Sequence, residues 1–157
     1  MLKPVINIIM GSHSDLEQVK PCCEVCEEFK VPYELRILSA HRSPKKLVSF
    51  IQRATRKGVK VFIAAAGGAA ALAGTVAAHT TLPVIGIPIR TSNLSGLDSL
   101  LSTVQMPAGV PVACMAIGKS GARNAAIFAL QILALSDKKI ANKLCAYKRS
   151  LARPIKR

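Results

Sequence analysis

The sequence predicts an α/β protein: a three-layer α/β/α sandwich with a parallel, flavodoxin/Rossmann-like sheet. Short apolar runs typical of buried strands alternate along the chain with longer segments whose apolar residues recur at helical spacing. The runs at 5–10 and 33–38 also end abruptly in small or polar residues before the helical periodicity begins. Strands separated by helices in this way form a parallel sheet with helices on both faces and right-handed connections.

Strands and helices are expected in strict alternation until the last two elements, which are both helical. We expect strands at about residues 5–10, 33–38, 59–65, 83–87 and 110–117. We expect helices at about residues 15–29, 44–57, 67–78, 97–104, 122–135 and 137–151.

Capping residues mark the boundaries of the first two helices. Ser14 is followed three residues later by Glu17, which is the spacing of a capping box at the start of a helix. Ser43 is a natural N-cap for the second helix, and Pro44 suits its first position. Gly58 suits the end of that helix because glycine readily adopts the left-handed conformation found there.

The later helices have weaker signals. Gly67 and Gly68 follow the third strand and are expected to open an alanine-rich helix, and Ser95 is expected to cap the next one. The last helix is basic and has only a narrow apolar stripe, so we expect it to leave the domain and pack on a neighbouring subunit. The stripe consists of Ile140, Leu144, Tyr147 and Leu151.

The chain of 157 residues is most simply one domain, 1–157, with its core at about 5–135 and the basic helix outside that core. Half of the residues are hydrophobic, but only 4% are aromatic. The many small side chains suit close helix packing, and a surplus of apolar surface suits contacts between subunits. We therefore expect a homo-oligomer.

The chain is strongly basic, with 22 Lys and Arg against 8 Asp and Glu and a formal net charge of +14. Such a charge attracts anionic substrates or nucleic acid. Nucleic-acid binders usually add stacking aromatics or a recognisable motif. Neither is present, so the composition disfavours nucleic acid as a partner.

The sequence favours a cytoplasmic location. No signal-peptide pattern follows Met1, and no apolar segment reaches the roughly 20 residues that span a bilayer, so we expect no membrane contact. The five cysteines are then expected to be thiols. The C-x-x-C within 22–26 falls mid-helix at core-facing positions, and no second pair completes a zinc site. We interpret these cysteines as structural and expect no metal.

Chemically versatile side chains follow the first two strands, where each strand ends. Gly11-Ser12-His13-Ser14-Asp15 follows the first strand, and Ser39-Ala40-His41-Arg42-Ser43-Pro44 follows the second. In open α/β sheets, ligands bind where strand carboxyl ends meet helix N-termini, whose free N–H groups favour an anion. The two junctions therefore predict a site for a phosphorylated small molecule.

Each junction also has a simpler interpretation. The Ser12 and Ser14 hydroxyls suit a phosphate and Asp15 a ribose diol, but the segment also fits a plain turn with Ser14 as a cap. Arg42 suits two-pronged pairing with phosphate, and His41 suits proton transfer near neutral pH. The alternative is that His41 bonds within its turn and Arg42 faces solvent. The first loop lacks G-x-x-x-x-G-K-[ST], which excludes a P-loop NTPase.

Six stretches of the chain resemble one family. They are I-I-M-G-S-H-S-D at 8–15, S-A-H-R-S-P at 39–44, A-G-G-A-A at 66–70, L-P-V-I-G-I-P at 82–88, S-G-L-D-S-L at 95–100 and V-Q-M-P-A-G-V-P-V at 104–112. The family is that of N5-carboxyaminoimidazole ribonucleotide mutase (PurE), an enzyme of de novo purine synthesis. The resemblance runs in order over about residues 5–135 and leaves out the basic C-terminal tail.

The resemblance implies a three-layer α/β/α fold and, typically, an octamer that needs neither metal nor organic cofactor. It implies conversion of N5-carboxyaminoimidazole ribonucleotide into 4-carboxy-5-aminoimidazole ribonucleotide. In that reaction the N-carboxylate leaves as CO2, is held in a closed site and is recaptured by the ring carbon. By the same mapping, His41 is the catalytic residue that shuttles the proton. The implied substrate-binding residues are Ser12, Ser14, Asp15, Ser39, Arg42, Ala66 and Gly67.

Two positions depart from the family's pattern. Its bacterial mutases usually read G-G-A-A-H-L-P-G, whereas Ala71 and Ala73 here stand in place of the histidine and the proline. The runs at 98–102 and 104–107 resemble the mutase branch. Two alternatives stay open: a branch that carboxylates 5-aminoimidazole ribonucleotide directly with CO2, and a module that binds a phosphorylated ligand without catalysis.

Overall fold

A computed structural model of the chain describes residues 3–152. The strands are β1 (Ile6–Met10), β2 (Tyr33–Ile37), β3 (Val61–Ala66), β4 (Val84–Pro88) and β5 (Ala113–Cys114). The helices are α1 (Leu16–Glu28), α2 (Pro44–Arg56), α3 (Leu72–Ala78), α4 (Leu97–Val104), α5 (Lys119–Ala134) and α6 (Lys138–Leu151). A 3-10 turn at His13–Asp15 leads into α1.

The five strands form one parallel sheet in the order β2-β1-β3-β4-β5. Met10 at the end of β1 lies opposite Ile37 of β2 and Ala65 of β3, so these three strands end level with one another. The chain changes direction across the sheet between β1 and β3, and doubly wound sheets bind ligands at such a switch point. The predicted fold class is confirmed.

Both faces of the sheet are buried, as the continuous apolar runs predict. Successive side chains of a strand point to opposite faces, so Ile8 packs with α1 and α5 while Ile9 packs with α2 and α3. On the second face α4 approaches β4 closely, because a Cβ on Gly86 would collide with the Thr103 methyl and lie 3.0 Å from Val112 Cγ1. The layers thus hold the strand ends, and the loops that follow them, in fixed positions.

The start of α1 differs from the prediction. Ser12, two residues before the expected Ser14, caps the 3-10 turn that leads into α1: its hydroxyl accepts a hydrogen bond from the Ser14 N–H at 3.4 Å. The reciprocal bond runs from the Ser12 N–H to the Asp15 carboxylate at 3.1 Å. Asp15 occupies the N-cap position of α1 itself, without a side-chain cap bond. The expected partner Glu17 instead pairs with Lys119 of α5. An acidic residue three positions after both serines made the two registers equivalent in the sequence.

Two other helix starts are corrected by backbone geometry. Gly68 at φ +62° and Ala70 at φ +30° turn the chain, so α3 begins at Leu72 rather than at the glycines. Gly96 at φ +91°, and not Ser95, is the N-cap of α4. Ser43 does occupy the N-cap position of α2 with Pro44 next to it, but its hydroxyl bonds to the Ser39 backbone instead of capping the helix.

The fifth strand is much shorter than expected. Only Ala113–Cys114 of the predicted 110–117 pairs with β4. Pro111 has no N–H to donate to a ladder, which limits pairing on its N-terminal side. On the other side α5 already begins at Lys119, earlier than the expected Ala122, after Gly118 at φ +73°.

The last helix packs on its own chain. Leu144 is buried, and Ile140 and Tyr147 lie against the same hydrophobic core. The Tyr147 ring meets Phe29 edge-on at 5.8 Å between centroids, and Lys143 Nζ donates to the Phe29 carbonyl at 2.5 Å. The apolar stripe expected on a neighbouring subunit is therefore largely used within the chain, and a contact of the outer face with a neighbour stays a prediction.

The cysteines of α1 lie in the core, as the sequence predicts. Cys22, Cys23 and Cys26 are buried and free of disulfide bonds. Burial raises the pKa of the Cys23 thiol to about 11. Cys145, on α6, is exposed. Within residues 3–152, no helix is long and apolar enough to cross a bilayer.

Candidate active site

A cavity of about 440 Å³ opens at the carboxyl ends of β1, β2 and β3. It lies at the switch point of the sheet, where the Gly11 N–H donates to the Ala65 carbonyl at 3.1 Å. The lining residues are Gly11, Ser12, Asp15, Ser39, Ala40, His41, Arg42, Ala66, Gly67, Gly68, Ala70, Ala71, Leu72 and Thr91.

The turn after β1 presents a buried carboxylate. Asp15 is only 8% exposed and accepts from the Ser12 N–H through Oδ2 at 3.1 Å. The Ser14 hydroxyl lies 2.9 Å from Ser12 Oγ and 3.3 Å from Asp15 Oδ1. Ser14 does not line the cavity, so its hydroxyl supports Ser12 and Asp15 from behind.

Burial raises the pKa of the Asp15 carboxyl above its ordinary value, because water no longer solvates the charged form. Hydrogen bonds from the Ser12 N–H and the Ser14 hydroxyl, together with the charge of Arg42, oppose this effect and lower the pKa. The carboxyl is therefore held in place yet is short of partners for its charge. A ligand hydroxyl that donates to it would supply one.

The turn after β2 is fastened by its two serines. The Ser39 N–H donates to Ser43 Oγ at 3.2 Å, and the Ser43 hydroxyl donates to the Ser39 carbonyl at 3.1 Å. The Ser39 hydroxyl accepts from the Arg42 N–H at 3.1 Å. These bonds form the tight turn that presents His41 and Arg42 on the cavity side.

Arg42 joins the two junctions. Its Nη2 donates to the Gly11 carbonyl across the cavity at 3.1 Å, which leaves its other N–H groups for an anion. His41 is exposed, and within residues 3–152 its ring makes no hydrogen bond. The imidazole is thus free to exchange a proton with a bound molecule.

The third wall is backbone with very small side chains. Gly67 lies close to Thr91, because a Cβ on Gly67 would be 2.8 Å from the Thr91 methyl carbon and would force that side chain to shift. Ala66 ends β3, and its carbonyl accepts from the Ile89 N–H at 2.9 Å. A planar ring can therefore approach this wall closely.

Seven of the eight residues that the sequence marks out line this one cavity, and only Ser14 stands behind it. Thr91, Ala70 and Leu72 also line the cavity and were missed. Thr91 follows the end of β4 at the same edge of the sheet, so the rule applied to the first two strands would have found it. Ala70 lies within the A-G-G-A-A stretch at 66–70, whereas nothing in the sequence marked Leu72. Among residues 3–152 no group of three His, Cys, Asp or Glu side chains is placed to hold a metal ion.

Two curated relatives resemble the chain closely. The N5-carboxyaminoimidazole ribonucleotide mutase of Bacillus subtilis is 52% identical over 143 residues, which are 91% of this chain and 88% of that protein. The phosphoribosylaminoimidazole carboxylase of Schizosaccharomyces pombe is 56% identical over 131 residues, which are 83% of this chain but only 23% of that much longer protein.

The fold and the family agree with these relatives. The crystal structure of Treponema denticola PurE superposes with a TM-score of 0.86 at 30% identity, covering 95% of this chain and 92% of that one. A family model described as AIR carboxylase matches residues 5–153. The chain therefore belongs to the AIR carboxylase family.

Proposed function

We propose that this protein is an N5-carboxyaminoimidazole ribonucleotide mutase of purine biosynthesis. It converts N5-carboxyaminoimidazole ribonucleotide into 4-carboxy-5-aminoimidazole ribonucleotide. The observation that carries the proposal is the convergence of His41, Arg42, Ser12 and Asp15 on one cavity. The mutase name of the Bacillus relative, at 52% identity, supports it.

The substrate is held at its ribose phosphate. The guanidinium of Arg42, fixed by its bond to the Gly11 carbonyl, pairs with the phosphate together with the Ser12 hydroxyl. Asp15 accepts from the ribose hydroxyls, which avoids its repulsion of the phosphate. Ser39 shapes the turn through its bond to the Arg42 N–H. The imidazole ring then lies against Ala66 and Gly67.

The reaction moves one carboxylate and one proton. The N–C bond to the carboxylate breaks, CO2 forms, and the ring substituent nitrogen takes a proton from His41. Carbon 4 of the ring then attacks CO2, and the neutral His41 removes the proton that this carbon carried. Atoms and charge balance over the cycle, because the histidine regains the proton that it gave.

Retention of CO2 is the second task of the site. The small side chains of the third wall let the chain pack closely around the ring, and close packing excludes water and keeps CO2 beside carbon 4. Every group that the reaction needs comes from the substrate or from the histidine, so we propose that no metal or organic cofactor takes part. We further propose that the chain acts as one domain in the cytoplasm.

We also propose a homo-oligomer, an octamer by family resemblance, that buries the outer face of α4. Four apolar side chains at successive spacings of three, four and three residues form a stripe on and just before this helix. They are Leu94, Leu97, Leu101 and Val104, exposed by 58%, 52%, 49% and 50%. A stripe with this spacing is typical of a helix that packs against another helix. A second copy of the chain is the occupant that we propose.

The experiment uses substrate labelled with 13C in the N-carboxylate. In the presence of unlabelled bicarbonate, a mutase returns the label in the product. The alternative, favoured by the name of the Schizosaccharomyces relative, is a direct carboxylase. Such an enzyme makes product from 5-aminoimidazole ribonucleotide and bicarbonate, so the product does not carry the label. Binding without any change in the imidazole spectrum would instead contradict both enzymes and leave a binding module.

A further inference from the structure

The segment after β4 begins where the sheet pairing ends. The last bond of the ladder runs from the Ile89 N–H to the Ala66 carbonyl at 2.9 Å. At the next residue, Gln18 of α1 takes over. Its Nε2 donates to the Arg90 carbonyl at 3.0 Å, and its Oε1 accepts from the Arg90 N–H at 2.9 Å. One carboxamide thus pairs with both backbone groups of Arg90, as a neighbouring strand would.

The far end of the same segment is fastened separately. The buried Ser99 hydroxyl lies 2.8 Å from the Ile89 carbonyl and 2.9 Å from the Gly96 carbonyl. These bonds close the base of the loop at 90–96 but do not hold Arg90 itself. The backbone groups of Arg90 therefore depend on the carboxamide of Gln18.

Arg90 matters because the next residue, Thr91, lines the cavity. The Thr91 methyl carbon lies against Gly67: a Cβ added to Gly67 would be 2.8 Å from that methyl carbon. The Thr91 hydroxyl has only a long bond to Asp98, at 3.4 Å. The position of Thr91 over Gly67 is thus set mainly by the backbone before it, which Gln18 holds.

We infer that Gln18 is a positioning residue that keeps Thr91 against Gly67 and so seals the cavity while CO2 is free inside it. This inference rests on the proposed function. CO2 carries no charge and only the surrounding walls retain it, so a loosened wall lets it escape before carbon 4 captures it. The expected signature is the release of 5-aminoimidazole ribonucleotide as a side product.

The experiment compares Gln18→Ala with Gln52→Ala, an exposed glutamine of α2 outside this network. Alanine favours the helical conformation, so α1 is preserved. We measure the ratio of 5-aminoimidazole ribonucleotide to carboxylated product, together with KM. Gln18→Ala should raise the ratio about fivefold, the scale expected for loss of neutral hydrogen bonds. KM should change less than about twofold, because the phosphate ligands are untouched.

A double-mutant cycle tests the route of the effect. Thr91→Ser removes the methyl from Gly67 but keeps the hydroxyl, and should also raise the ratio. If Gln18 acts through Thr91, the ratio of 5-aminoimidazole ribonucleotide to carboxylated product in the double variant should not exceed the higher of the two single-variant ratios. An unchanged ratio in Gln18→Ala, or two effects that multiply independently, would overturn the inference.

Hydrogen exchange separates this inference from the proposed function. The peptide that covers 90–96 should exchange faster in Gln18→Ala than in the wild type and in Gln52→Ala, whatever the reaction is. Equal exchange in all three proteins would refute the fastening by Gln18. Faster exchange in Gln18→Ala, together with a wild type that converts no substrate, would refute the mutase proposal and retain only the role of Gln18 in holding this segment.

Discussion

His41 is the residue on which the proposed chemistry depends most directly. It lines the cavity, is exposed, and forms no hydrogen bond within residues 3–152 that would fix one tautomer. A proton shuttle must both give and take a proton, so a ring without a fixed partner suits that task.

The His41→Asn variant should therefore bind nucleotide normally and turn over poorly. We expect a fall of about 10²- to 10⁴-fold in kcat, the usual contribution of general acid–base catalysis. Affinity for the product, measured by calorimetry, should stay within about twofold. His79→Asn is the matched control, since His79 is exposed, lies outside the cavity, and its ring bonds to the Thr75 carbonyl of its own helix. Turnover near the wild-type rate in His41→Asn would exclude His41 from the mechanism.

The burial of Asp15 leads to a prediction about stability, because burial disfavours the charged form of its carboxyl and raises its pKa. A folded-state pKa above the unfolded one means that the folded protein binds more protons in that interval. The contribution of Asp15 to the free energy of unfolding is therefore most favourable below the unfolded-state pKa, near 4. It is lost as the pH rises through the folded-state pKa. Asp15→Asn should remove this loss, so the variant should unfold at a higher temperature than the wild type at neutral pH. Thermal unfolding at several pH values checks this.

The same substitution should weaken nucleotide binding. Replacing a charged acceptor by a neutral one removes interactions of about 1.5–3 kcal/mol, or roughly tenfold or more in Kd. A variant that is both more stable and weaker in binding would mark Asp15 as a residue whose charge serves the ligand. Equal affinity in the two proteins would argue against a contact between Asp15 and the substrate.

At the level of helices and strands, the sequence predicts existence and order better than boundaries. Strands such as β1 are apolar throughout because both faces of the sheet are covered, and this pattern is hard to mistake. The start of α3 was missed because three consecutive alanines favour a helix, while the positive φ of Gly68 reverses the chain there. The Ser12 cap was missed because both Ser12 and Ser14 precede an acidic residue by three positions.

The contact between α4 and β4 predicts a sharp effect at Gly86. A Cβ there would meet Thr103, Val112 and Ala73 together. Gly86→Ala should therefore reduce the free energy of unfolding by about 1–3 kcal/mol, as overpacking usually does. Urea denaturation measures the loss. A second substitution, Thr103→Ser, removes the colliding methyl and keeps the bond to the Ser99 carbonyl, so it should restore part of the stability. Full stability in Gly86→Ala alone would show that α4 can shift freely.

For the whole molecule, the candidate site was predictable because it depends on topology more than on side-chain detail. Parallel strands place their carboxyl ends at one edge, so Ser12 and Arg42 had to lie near each other once the sheet was recognised. The hydrogen bond from Arg42 to the Gly11 carbonyl and the contact of the Thr91 methyl with Gly67 depend on tertiary packing, which no local sequence pattern encodes.

The proposed oligomer makes a prediction at the same scale. Leu101→Glu places a charge in the middle of the apolar stripe on α4, where burial against a second copy would be strongly unfavourable. We expect a smaller assembly by sedimentation velocity than the wild type forms. Leu135→Glu is the control, because Leu135 is 88% exposed and lies outside that stripe. An assembly of unchanged mass in Leu101→Glu would remove α4 from the interface.

The buried thiols of α1 have a consequence for the behaviour of the protein towards oxidants. Peroxide and alkylating agents attack thiolates, and a thiol with a pKa of about 11 is almost entirely protonated in neutral solution. Because Cys22, Cys23 and Cys26 are all buried, their sulfur atoms serve as packing atoms rather than as reactive groups. During prolonged storage without a reducing agent, mass spectrometry should find the peptide that contains these three cysteines unchanged. The peptide that contains the exposed Cys145 should gain oxygen first.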